Sequence, residues 1–102
     1  MEKPVKFDKI PWENPDKGIY QKVYSNSDTT VRLVKFDHNF IEKEWCFKNH
    51  LGYILKGQLK LDFDGLMQTY NKGEALILNS GEKHKIITDE NTDVEIILFE
   101  KK

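Results

Sequence analysis

The stretch GEALILNSGEKH, Gly73 to His84, carries an apolar run, Ala75 to Leu78, into a tight polar turn that ends on a histidine. Upstream, Glu44, Cys46 and His50 fall within seven residues of one another. Each of these four side chains offers a lone pair to a divalent cation. Residues 44 and 46 of an extended strand share a face, and 50 keeps their parity if no bulge intervenes, while Trp45 and Phe47 point away. Two chemistries suit this set. One is a metal or ligand site assembled from two distant segments. The other is a nucleophilic pair, in which an imidazole from His50 or His84 raises the thiolate fraction of Cys46. Against both stands ordinary packing: a free cysteine behaves as a small hydrophobe, and a histidine at a strand start is a hydrogen-bonded polar residue.

Other residues invite a role. Arg32, the only arginine, lies between apolar neighbours in TTVRLVKF; its planar fork suits a carboxylate or phosphate in a pocket mouth, or it is a surface charge. Tyr53 is a candidate for the same pocket. Tyr20, Phe36, Trp45 and Tyr70 are aromatics that line a cavity or fill a core. His38, in the turn Asp37-His38-Asn39, reads as solvated.

The elements that position these residues read as strands. Alanine occurs once, at Ala75, while Ile, Val, Tyr and Phe are plentiful, a composition poor for helices and good for sheets. Turn clusters at Pro15 to Gly18, Ser25 to Asp28, Asp37 to Asn39, Lys56-Gly57, Asp64-Gly65, Asn71 to Gly73, Asn79 to Lys83 and Asp89 to Asp93 separate runs of strand length. The hairpin LKLDFDGLMQTY is the sharpest local feature. Asp64-Gly65 suits a two-residue type I′ turn, placing Phe63 against Leu66, Leu59 against Tyr70 and Lys60 against Thr69. Thr30 to Phe36 and Val94 to Phe99 read apolar on both faces, as strands between a second sheet and a partner or terminal segment.

The pattern resembles the cupin superfamily. Gly73, Gly81 and His84 match its second motif, G-x5-P-x-G-x2-H, with Asn79 where proline is usual. EWCFKNHLGYILKG resembles its first motif, H-x-H-x3-4-E-x6-G, through Gly57, with Glu44, Cys46 and His50 standing where His, His and Glu are usual. The similarity covers roughly residues 30 to 100. It implies an all-β, single-domain double-stranded β-helix, the cupin jelly-roll barrel, spanning residues 19–102, with residues 1–18 an arm of the same domain. It also implies a metal site at Cys46, His50 and His84, with Glu44 as a fourth ligand. Two imidazoles and a thiolate favour zinc, iron or nickel over magnesium or calcium, which prefer oxygen shells. An iron site with open positions would activate dioxygen, and a zinc site would act as a Lewis acid.

Bulk properties narrow the partners. With 102 residues, 16 basic and 17 acidic, the chain carries a formal charge of -1 and no basic block beyond Lys101-Lys102, so a nucleic-acid or anionic-membrane footprint is not expected. One cysteine excludes an internal disulfide and fits a reducing, cytoplasmic compartment. No secretory leader or transmembrane run is legible, and no phosphate-binding or dinucleotide fingerprint is present. The expectation is a small cupin whose barrel pocket binds a divalent metal and a small polar metabolite. The alternative is a non-catalytic metabolite-binding or sensing cupin without metal. A homodimer is expected, with Val5 to Trp12 as the contact.

Overall fold

A computed structural model describes residues 4–102; the first three residues of the expected arm lie outside the described residues. Among the described residues nine strands follow one another: β1 Glu13–Asp16, β2 Ile19–Ser25, β3 Thr29–Asp37, β4 His50–Lys56, β5 Gln58–Asp62, β6 Met67–Asn71, β7 Ala75–Leu78, β8 Lys85–Ile87 and β9 Asp93–Lys101. They form a six-stranded sheet in the order β1-β2-β3-β9-β4-β7 and a three-stranded sheet in the order β6-β5-β8. Every named pairing is antiparallel, and the non-sequential order in the larger sheet is that of a jelly roll. The single helical feature among the described residues is a 3-10 turn, Phe7–Lys9.

Alternation explains the packing. On β9, Val94, Ile96 and Leu98 turn inward, and on β3 Val34 and Phe36 do the same. Leu59 and Leu61 of β5 meet them from the smaller sheet, and Ile54, Leu76 and Leu78 close the core. Burying an aliphatic or aromatic side chain of this kind is worth roughly 1.5 to 3 kcal/mol. The core therefore sits between the two sheets, and a strand slipped by one residue would expose it.

The hairpin forms in the expected register, with Leu59 opposite Tyr70 and Lys60 opposite Thr69. Phe63 donates its backbone N–H to the Leu66 carbonyl at 2.8 Å, and Asp64 and Gly65 both adopt positive φ, 60° and 106°, as a type I′ turn requires. The β4–β5 turn depends on Gly57 at φ 77°, where a Cβ would run into the Asp93 carbonyl.

The outer faces of β3 and β9 have less cover than their sequence suggests. Phe99 is exposed, and so are Leu51 and Tyr53 on β4 and Ile77 on β7. The described part of the arm covers one corner of that face. Lys22 donates from Nζ to the Phe7 carbonyl at 2.8 Å, and Trp12 lies against the ammonium groups of Lys22 and Lys35. The stretch expected as an arm, residues 1–18, contains a strand of its own, β1, paired to β2. His38 is exposed in its turn.

Candidate metal centre

Cys46 and His84 approach as neighbours on one ribbon. They form an isolated antiparallel bridge, with Cys46 N–H donating to the His84 carbonyl at 2.8 Å and His84 N–H to that of Cys46 at 3.0 Å. Since His84 immediately precedes β8, this bridge places Cys46 beside the smaller sheet. His50 begins β4 in the larger sheet, opposite Leu78. The chain thus crosses from one sheet to the other between residues 46 and 50. Cys46 and His50 do not share one strand face, as parity suggests, but converge from two sheets. Gly81, at φ 85°, donates its N–H to the Phe47 carbonyl at 2.8 Å and ties the turn before His84 to the crossing segment.

The three donor atoms lie no more than 4.8 Å from one another, and Cys46 Sγ is 3.7 Å from His50 Nε2. Metal bonds of ≈ 2.3 Å to sulfur and ≈ 2.0 Å to nitrogen give a tetrahedral edge of about 3.5 Å. The sulfur–imidazole separation is close to that edge. The residues fit a metal in their chemistry as well: a thiol and two imidazoles are donors for zinc, iron or nickel.

The far side of each ring faces an oxygen. His84, 4% exposed, has Nδ1 2.9 Å from the Glu82 carbonyl, so Nδ1–H donates there and Nε2 keeps its lone pair. His50 Nδ1 is 3.2 Å from Glu100 Oε2, yet no hydrogen bond of acceptable direction forms and the buried atom has no other partner among the described residues. The contact is an off-axis approach of an imidazole to a carboxylate. Burial holds the His50 pKa below its usual 6.5, partly offset by Glu100, with His84 and Arg32 pushing the same way as burial. Its neutral form, the one that ligates, is therefore favoured.

Arg32 faces inward on β3 and grips Glu100 with two nitrogens, Nε at 3.2 Å and Nη2 at 3.0 Å, while Nη1 donates to Gln21 Oε1 at 3.1 Å. It lines the cavity, but its fork is already engaged. Tyr53 lies an odd number of residues from His50, on the outer face of β4, 45% exposed. Glu44 is exposed two residues before Cys46 and stands outside the converging donors. Of the aromatics weighed for a pocket, only Phe36 lines the cavity; Tyr70 packs against the core. Trp45 lies outside between the ammonium groups of Lys83 and Lys85, and Tyr20 is near Lys35.

Two carboxylates went unread in the sequence. Glu100 completes the Arg32–Glu100–His50 chain, and Glu42 lines the cavity while its Oε1 accepts the Ile86 N–H at 2.6 Å. Glu100 shares parity with Ile96 and Leu98, a usable signal, but its neighbours depend on which strands pair.

The cavity beside the donors, about 240 Å³, lies between the sheets. The family model for a cupin domain matches residues 48–100. The chain belongs to the cupin family. No curated protein matches this cupin in sequence. Its fold is similar to that of KdgF from Halomonas sp., with a TM-score of 0.76 at 20% identity, covering 97% of this chain and 93% of the other. It is also similar to the polyketide cyclase RemF from Streptomyces resistomycificus, with 0.78 at 17%, covering 99% and 80%. A sugar phosphate isomerase of the cupin superfamily from Silicibacter pomeroyi superposes with 0.74 at 12%, covering 98% and 76%. At these identities the likeness is one of fold. Among the described residues no helix is long and apolar enough to cross a membrane.

Proposed function

We propose that this cupin holds a divalent metal, zinc, iron or nickel, on Cys46, His50 and His84 and takes a small molecule into the adjoining cavity. The observation that carries the reading is the convergence of a thiol and two imidazole nitrogens on one wall of that cavity. A bound ion would supply Lewis acidity toward an oxygen of the ligand. The chain supplies the rest: Glu100, itself anchored by Arg32, steadies His50, and the Glu82 carbonyl sets the tautomer of His84. Elemental analysis of untagged protein tests this. Metal near one per chain, falling at least about tenfold in Cys46→Ser and in His50→Ala, is expected; sub-stoichiometric metal unchanged in both variants removes the reading.

We propose also that the cupin is a cytoplasmic homodimer, joined through the outer face of the larger sheet. Tyr24, Val31, Phe99, Leu51 and Ile77 form one apolar row across five strands. Six strands at ~4.8 Å and about seven residues at ~3.4 Å make that face roughly 700 Å², near the ≈ 800 Å² per partner of a stable interface. The arm expected to form the contact folds back on its own barrel at Lys22, so this support belongs to the sheet.

A further inference from the structure

Eleven of the seventeen side chains that line the cavity are hydrocarbon. The six polar ones are largely engaged already. Arg32 is committed to Glu100 and Gln21, and Glu42 accepts a backbone N–H. The outer nitrogens of His50 and His84 face Glu100 and the Glu82 carbonyl. What remains to greet a ligand is the three-donor cluster and the ammonium group of Lys48, exposed and without an ion pair among the described residues.

We infer, resting on the metal reading above, that the ligand is a small organic monoanion with a hydrocarbon body, of the aromatic or short-chain monocarboxylate class. Its carboxylate lies at the donor end and its body along the apolar wall. Charge, polarity and size lead to this class together. In number, the charges of Arg32 and Lys48 at the cavity are matched by those of Glu100 and Glu42, so a divalent ion on one thiolate would leave a single net positive charge for an anion to meet. A polyol or sugar phosphate would press several hydroxyls against leucine and valine side chains, and each buried hydroxyl without a partner lowers affinity about tenfold or more. At the roughly 30 Å³ a water occupies in the liquid, 240 Å³ takes about eight such units, the scale of benzoate or hexanoate. Lys48, at the open end, attracts the anion without being buried by it.

The test pairs metal analysis with calorimetric titration of the metal-loaded protein, using benzoate, hexanoate, citrate and glucose 6-phosphate as probes. Benzoate and hexanoate binding at least about tenfold tighter than the two polar probes is expected. Lys48→Met is expected to weaken benzoate by up to about fivefold, the scale of an exposed charge pair, with metal content unchanged. Full metal content with citrate or glucose 6-phosphate as the tighter ligands, or with no binding of either apolar acid, overturns the ligand class and leaves the metal centre standing. Low metal content with undiminished benzoate binding overturns the metal reading, and with it the placement of the carboxylate.

Discussion

His50 touches three influences at once: Cys46 Sγ on one side of its ring, Glu100 on the other, and the low dielectric around it. Burial is the largest of these on its protonation and holds its pKa below 6.5. The unfolded chain therefore binds a proton that the folded chain resists. Stability is fully present above about pH 6.5 and falls as pH drops from there toward the lower folded value. In chelator-treated protein, urea midpoints of the parent should decline over that interval, whereas those of His50→Gln should decline less; equal slopes would contradict the burial argument. Glu100 is a positioning residue in the same group. Glu100→Gln should leave the fold intact but weaken metal affinity by about 10- to 100-fold, the range for an outer partner of a ligating histidine, as read by competition with a chromogenic chelator. Sequence spacing located all three converging donors, because the motif glycines fix where the turns fall. Tyr53, an odd number of residues from His50, stands on the other face of β4. Glu100 was not legible, since its role depends on β9 lying between β3 and β4.

The strands translate local chemistry into placement. In the β5–β6 hairpin, alternation and the Asp64-Gly65 pair determine register without help from the rest of the chain, which is why its pairing could be read directly. The segment between β3 and β4 could not. Parity counts assume an unbroken strand, and the chain leaves one sheet for the other between Cys46 and His50; the Cys46–His84 bridge that holds it beside the smaller sheet before the crossing is a long-range contact. Two turn glycines separate steric from conformational cost. Both Gly57 and Gly65 hold positive φ, but only at Gly57 does a side chain meet the Asp93 carbonyl, while Gly65 faces open space. Gly65→Ala should lose about 1 kcal/mol, and Gly57→Ala clearly more, about 2 to 3 kcal/mol, in chemical denaturation. The reverse order would show that the β4–β5 turn is not clamped against β9.

At the scale of the molecule, a hydrocarbon-lined space lies between the two sheets and an apolar row stands exposed on the outer face of the larger one. The barrel class was evident in composition and turn spacing, but the uncovered outer face was not, because strands apolar on both sides read alike whether a terminal segment or a second copy covers them. Light scattering after size exclusion should give twice the chain mass at micromolar concentration, and Leu51→Glu with Phe99→Glu should give the single-chain mass with unchanged circular dichroism; a monomeric parent would contradict the dimer. The claim beneath the rest is that Cys46, His50 and His84 serve one metal ion. Cobalt titration of metal-free protein followed by absorption addresses it most directly, since a thiolate ligand adds an intense near-ultraviolet charge-transfer band. The account predicts a band that saturates at one equivalent per chain, vanishes in Cys46→Ser and weakens in His84→Ala. Cobalt binding without that band, or a band indifferent to His50 and His84, would contradict it.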